Sequence, residues 1–572
     1  MPTHANGLHF FIAFHYLATY PPSSEMEVAG LAIGIIAVIK PTAEAIGTLW
    51  SDTKNFGGDA ERFRLRFSVQ ITRLGAFERV LFEANKFPLV QGRLFDQLPE
   101  NVCENFIDLL RQLYELLQKY YVVQQRYALA ANSEGELVGG MGSLGVDERT
   151  STLLGIGKTG DAKLFKSTSW TKKARWVMSD KKSAEDLVTE FEAWTERVKS
   201  LLELAWWPLP FFSTVSQMEK LQEDKDAGQT GMLEGIGMRK LLAPGSSQIS
   251  VETAKSLQIS RLDFKEVIKF QELEVGQVTG RGGVIVEYKS YEQDRTGSIN
   301  EIVSRRILQL VALLHETKTD RFRVLRCINY FDDVPGKRIG FAFQFPSQSV
   351  PASLNTKLIS KKLKPGLGIR MKLAYALAES LGHLHSVGWV HKSLRSENII
   401  FLPETATSPS IELPETAILE QPRIFGFEYS RLDSDFSSGR PDYDIKRNIY
   451  RHPQRWGQPS EMFSKIHDIY ALGTMLLEIG LWESLSQIDG GALLNPPENS
   501  TIAETSQATK ARLLKHAKRR LAFYTGEKYQ AIVLTCLEGS FGVEFDDRIG
   551  SRLSGEFTKV VIDSLGDLSK SL

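Results

Sequence analysis

The hydrophobic period changes once along this 572-residue chain, and the change sets the first limit on its architecture. In the N-terminal part apolar residues recur at helical spacing: Leu187, Phe191, Trp194, Val198, Leu201 and Ala205 line one face of a segment from Ser183 to Trp207, with acids on the other. Similar patterns run from Ala60 to Phe82 and from Asn101 to Tyr127. From Ser256 onward strand-like runs return, as in Val284-Ile285-Val286-Glu287-Tyr288-Lys289. Runs of helices followed by runs of strands predict separate domains. The expected order is an N-terminal extension over 1–25, an all-α helical bundle over 26–215, a linker over 216–259 and an α+β domain over 260–572. The linker is predicted from its Gln, Lys, Glu, Gly and Ser content and from the break Ala243-Pro244-Gly245-Ser246-Ser247.

Composition excludes more than it selects. Lys plus Arg number 69, as do Asp plus Glu, so no global charge draws the chain toward nucleic acid or a membrane. Cys103, Cys327 and Cys536 are far apart, which argues against a disulfide or zinc framework and for a reducing compartment. Gly155-Ile156-Gly157-Lys158-Thr159 imitates the end of a phosphate-binding loop, but Thr152 stands where the first glycine is required. The basic stretch Lys163 to Lys182 reads as a solvated face. The apolar piece Leu8 to Tyr20 lacks the basic flank of a signal peptide.

The early segment Ala29 to Ile39 is apolar throughout, with Leu31, Ile33, Ile35, Ile36, Val38 and Ile39 as its large residues. Alone it is shorter than the ~20 residues a membrane span needs. Continued to Trp50 it reaches that length, with Lys40 and Glu44 buried or snorkelling. At rest it is expected as a buried helix of the bundle. A glycine-dotted apolar helix, a charged helix carrying Arg62-Phe63-Arg64-Leu65-Arg66, a later Lys172-Lys173-Ala174-Arg175-Trp176 and a closing helix together resemble the HeLo domain of fungal incompatibility and prion-associated proteins. That resemblance implies a bundle whose first helix, when triggered, is exposed and enters the plasma membrane.

In the second domain, His391-Lys392-Ser393-Leu394-Arg395-Ser396-Glu397-Asn398 resembles the protein-kinase catalytic loop His-Arg-Asp-Leu-x-x-x-Asn, with Ser393 in place of the proton-accepting Asp. Arg423-Ile424-Phe425-Gly426-Phe427-Glu428 stands where Asp-Phe-Gly should follow, so Gly426 replaces the metal-binding Asp and Glu428 the glycine. His452-Pro453-Gln454 occupies the place of Ala-Pro-Glu, and Asp468 to Glu478 reads like the central helix of the large lobe. Upstream, Lys289 ends a strand of Val-Ala-Ile-Lys form. Ile302 to His315 is the helix that should carry its glutamate, yet Ser304 holds that position and Glu301 lies a turn early. Gly280, Gly282 and Gly283 form a hairpin turn rather than a phosphate loop. Phe341 to Pro346 fits the strand and hinge between two lobes.

The resemblance implies a bilobal α+β protein-kinase-like fold without a working catalytic set: His391, Ser393, Arg395 and Asn398 as the remains of the loop, and Gly426, Phe427 and Glu428 as the remains of the metal motif. No metal site is expected. ATP is the one cofactor left open, at a residual nucleotide site of Lys289 and Asn398. A helical bundle joined to such a pseudokinase resembles in layout the animal mixed-lineage-kinase-domain-like necroptosis executioners. The expectation is a cell-death or incompatibility effector, cytoplasmic at rest and at the plasma membrane on activation. Its expected partners are an upstream signalling protein, further copies of itself and membrane lipids, with no nucleic acid. An atypical active Ser/Thr kinase and a non-lytic interaction scaffold are the alternatives.

Overall fold

A computed structural model describes residues 25–52, 57–87, 90–132, 181–206 and most of 214–571, the longer breaks there being 292–298, 346–350, 403–415, 433–441 and 545–549. The extension before residue 25, the Gly155–Thr159 stretch, most of the 163–182 basic run and Glu428 lie outside the described residues. The chain divides into two compact units, one of residues 1–199 with 225–231 and the other of 200–224 with 232–572.

The first unit is helical: α1 (Glu25–Asp52), α2 (Gly57–Phe82), α3 (Glu100–Asn132), α4 (Lys181–Trp206, which enters the second unit after Lys199) and the short α6 (Lys225–Thr230). Helix α1 buries Ala29, Ala32, Ile36, Ile39, Ala43 and Ile46, a stripe at spacings of three and four residues, against α2 and α3. Leu31 and Ile35 are buried beside it, while Ile33 and Val38 are half-buried. Each large side chain so covered contributes roughly 1.5–3 kcal/mol. Phe67 of α2 meets Phe191 of α4 edge-on at 5.1 Å, and the Trp194 indole N–H donates to the Leu109 carbonyl of α3. Charge is matched around this core: Lys40 bonds Glu78 at 2.7 Å, the Arg66 fork grips both oxygens of Glu192, and Arg79 and Lys86 converge on Asp226.

The segment expected as a linker is helical. It carries α5 (Val215–Glu223), α6, α7 (Ile236–Leu242) and α8 (Ser247–Leu257). The polar composition concealed small apolar faces: Met218 and Leu221, then Ile236, Met238 and Leu241, then Ala254 and Leu257 are buried. Helix α5 also starts at a capping box of Thr214 and Gln217. The break at Ala243–Ser247 only separates α7 from α8.

The second unit continues with a five-stranded antiparallel sheet of β1 (Phe264–Phe270), β2 (Leu273–Val278), β3 (Gly282–Ser290), β4 (Cys327–Asp333) and β5 (Arg338–Gln344), in the spatial order β1-β2-β3-β5-β4. The β2–β3 hairpin turns at Gly280 and Gly282, whose φ of +74° and +88° favour glycine. Helix α9 (Glu301–His315) connects β3 to β4 and packs on α8. Alternation splits β3 between two cores: Val284 and Val286 face Phe264 and Phe331, whereas Ile285 joins the main core with α9. The remainder is mainly helical, with α10 (Leu354–Ser360), α11 (Leu367–Ser386), α12 (Lys465–Leu481), α13 (Ile502–His516) and α14 (Glu527–Glu538). Helix α12 is buried on all sides, as its nearly continuous apolar sequence requires.

Candidate functional site

The loop 391–398 leaves the two-residue strand Trp389–Val390 after α11 and is fastened by one carboxylate. Asp468, in the first turn of α12, is buried; its Oδ2 accepts the His391 N–H at 2.7 Å and its Oδ1 the Lys392 N–H at 2.8 Å. His385 Nε2 lies 3.2 Å from Oδ2. Burial opposes ionisation, yet His385 and the loop amides hold the Asp468 carboxyl below the usual carboxylate range. These bonds keep Lys392 at φ +70°, in the left-handed region that costs a non-glycine residue about 1–2 kcal/mol. His391 is fully buried, and burial pushes its imidazole down to about 4, so it is neutral at pH 7. Its Nδ1 accepts the Ser393 N–H at 3.2 Å, which assigns the ring proton to Nε2. Phe427 is buried against Trp389 and His391 with ring separations of 5.1 and 4.8 Å.

Asn398 turns inward. Its Nδ2 donates to the Ser393 carbonyl at 2.7 Å and to Ser393 Oγ at 3.2 Å, while its main-chain carbonyl accepts the Phe425 N–H at 2.9 Å. Gly426 packs directly on this amide: a Cβ built there would lie 2.0 Å from Asn398 Nδ2, and the glycine has φ +88°. The Gly426 N–H donates to Glu287 Oε2 at 3.0 Å. Ser393, Asn398 and Gly426 are therefore brought together, and the strand residue that accepts the Gly426 N–H is the buried carboxylate Glu287. Lys289 is half-buried two residues further along β3, opposite Ile339, and forms none of these bonds. Glu287 was not singled out from the sequence. The signal was there: Val284-Ile285-Val286-Glu287 is itself a β-branched run ending in a charged residue, two residues before Lys289.

Arg395 is half-buried with its Nε 3.9 Å from Glu397. Behind the loop, Ser396 Oγ lies 2.7 Å from the Tyr450 hydroxyl, and Glu478 Oε1 accepts from Tyr450 at 2.8 Å and from the Leu485 N–H at 2.7 Å. Burial pushes the Glu478 carboxyl up to about 8. Among the described residues, no group of three or more His, Cys, Asp or Glu is placed to hold a metal ion. Asp468 receives backbone N–H groups of the loop, and Glu287 that of Gly426. This arrangement organises a loop; neither Ser393 nor Gly426 supplies the carboxylate that proton abstraction or metal binding would use.

Residues 30–225 match the HeLo family, described as prion-inhibition and propagation, and residues 331–563 match a domain of unknown function, DUF7580. No curated protein matches the chain. The DUF7580 region begins in β4 and contains the whole 391–398 loop and α12. HeLo domains are associated with fungal cell-death and incompatibility proteins. The N-terminal helical unit, whose apolar first helix lies almost wholly within the matched residues, is thus similar to HeLo domains, and the C-terminal part of the chain to DUF7580.

Proposed function

We propose that the chain is a regulated cell-death or incompatibility effector in which a kinase-like domain without catalytic competence senses a signal and frees a membrane-targeting HeLo bundle. The observation that carries this reading is α1 within the HeLo match: Val28–Gly47 has the length and composition to cross a membrane, with a mean hydropathy of 1.6, yet 56% of that window is buried. A helix stored in that way can be exchanged for lipid when the bundle opens. In the activated state the protein self-associates and engages plasma-membrane lipids.

Three features support a pseudokinase reading of the second unit. The sheet order β1-β2-β3-β5-β4 with a helix between β3 and β4 suits a kinase small lobe. The Asp468 carboxylate gripping the amides of His391 and Lys392 suits a large-lobe helix beneath a catalytic loop. Ser393, Gly426 and Glu287 lack the acid and base pattern that phosphotransfer needs. The buried Glu287 carboxylate beside Gly426 opposes the triphosphate of ATP by like charge.

The scaffold alternative rests on the same buried stripe, which a permanent core helix would also show. Expression of the full chain and of its Val38→Asp variant in yeast, with leakage of dye from anionic vesicles as the second readout, separates the two. Killing and leakage by the activated parent that Val38→Asp abolishes support the effector. A folded variant that kills as well as the parent leaves the scaffold.

A further inference from the structure

We propose that the outer face of the 515–528 helical corner docks on an anionic lipid surface, with Phe523 and Tyr524 as its apolar tip. Helix α13 continues through a wider π-helical turn, Ala517–Leu521, as far as Thr525, and Gly526 at φ +84° then turns the chain into α14. The inner side of this run is fixed by Leu513, Ala517, Leu521 and Thr525, all buried and four residues apart. A second row with the same spacing, Lys515, Arg519 and Phe523, is exposed. Phe523 is 87% exposed and Tyr524 44%, and their rings meet edge-on at 5.1 Å. A single exposed ring is ordinary on a protein surface, whereas two in contact beside a row of cations mark an interaction site.

The charge of the corner is only partly answered within the protein. Arg512 lies 3.5 Å from Asp489, Lys518 3.0 Å from Glu538 and Arg520 2.7 Å from Glu483. Lys515, Arg519 and Lys528 form no ion pair or hydrogen bond among the described residues, and the one acid from Lys510 to Lys528 is Glu527, so cations remain in excess. An apolar tip among unanswered cations suits the headgroup boundary of an anionic bilayer, where the Phe523 ring leaves water, the Tyr524 hydroxyl stays at the polar level and the cations meet the headgroups. A stable protein partner buries roughly 800 Å² on each side around an apolar core, more than one projecting tip supplies. The two rings stand at 89° to each other and offer no common plane for stacked bases. The contact uses the second unit alone and does not require α1 to leave the bundle, so it goes beyond the effector reading.

The test is sedimentation of the full chain with vesicles of equimolar phosphatidylserine and phosphatidylcholine, and with phosphatidylcholine alone, in the parent and in a Val38→Asp background that separates any share of α1. The anionic vesicles should bind the chain saturably in both backgrounds, and binding should weaken as salt rises from about 0.1 M to about 0.5 M. Phe523→Ser should weaken binding about tenfold, and Lys515→Gln and Arg519→Gln about fivefold each, by the same factor in both backgrounds, while Arg519→Lys retains it. These side chains are exposed, so the variants should melt like the parent. The native cysteines are buried, so a bimane attached at Phe523→Cys reports this position alone and should shift to the blue on anionic vesicles. Equal binding to both vesicle types, folded Phe523→Ser or Arg519→Gln variants that bind as the parent does, or an unshifted bimane would each overturn the proposal. Binding lost in Val38→Asp but unchanged by Phe523→Ser would assign the lipid contact to α1, overturning this surface and leaving the effector reading in place. Displacement of the vesicles by poly-L-glutamate or poly(U), with Phe523→Ser indifferent, would overturn the lipid assignment in favour of an acidic polypeptide or a nucleic acid.

Discussion

Restoring a side chain at Gly426 is the sharpest test of how this loop is built. Gly426→Ala places a Cβ 2.0 Å from Asn398 Nδ2 and 3.2 Å from Asn398 Cβ, on a backbone held at φ +88°. The left-handed backbone costs about 1–2 kcal/mol for a non-glycine residue and the overpacking about 1–3 kcal/mol more, so the variant should lose about 2–5 kcal/mol. Relief requires the Asn398 amide to leave Ser393, breaking hydrogen bonds of 2.7 and 3.2 Å. In an Asn398→Ala background the amide is gone and only the 3.2 Å contact with Cβ remains, so the cost should fall toward the backbone share. A coupling energy of about 1–3 kcal/mol between the two sites follows. Hydrogen-exchange protection of α12 in the full chain, read for the parent, both single variants and the double variant, measures all four stabilities in the unit concerned. A Gly426→Ala cost below about 1 kcal/mol, or an equal cost in both backgrounds, would refute the packing argument. Gly426→Asp should fare worse, because it also sets a second carboxylate beside Glu287.

Further outcomes follow from the same geometry. Purified protein should transfer no phosphate above a Lys289→Ala control, and Ser393→Asp combined with Gly426→Asp should not restore transfer; robust magnesium-dependent transfer would sink the pseudokinase reading. Millimolar ATP should leave the melting temperature flat, since a half-filled site would raise it measurably. Val38→Asp should keep the circular dichroism of the parent, because Val38 is only half-buried, yet weaken vesicle association by ~2.5–3.5 kcal/mol if α1 inserts; unchanged association would exclude insertion of this helix. Glu478, held up to about 8 by burial, binds a proton in the folded state that the unfolded chain has lost, so its share of stability is present below the unfolded value near 4.5 and is lost as pH rises toward 8. Glu478→Gln should flatten that fall, at most roughly 1.4 kcal/mol per pH unit, in urea unfolding at about pH 6 and pH 8. His391, held down to about 4, acts in the opposite sense: its share of stability is lost as pH falls from 6.5 toward 4.

Periodicity made the elements legible. The helices of the bundle, the alternation of β3 and the buried run of α12 were visible because side-chain spacing fixes which face each residue presents, and this needs no knowledge of partners. The loss of acids at Ser393 and Gly426 was legible for the same reason: residue type alone decides whether a carboxylate is present. Composition misled at 216–259, where short helices each bury only one to four apolar residues and polar residues dominate any window. Pairing could not be read at all. That Asp468 ties down a loop 76 residues before it, that Asn398 fills the space over Gly426, and that Glu287 rather than Lys289 bonds the Gly426 amide depend on strand register and helix placement, which are set by contacts distant in sequence. The gathering of Lys392 and Arg455 around Phe463 is of the same kind, arising only when separate segments fold onto one another.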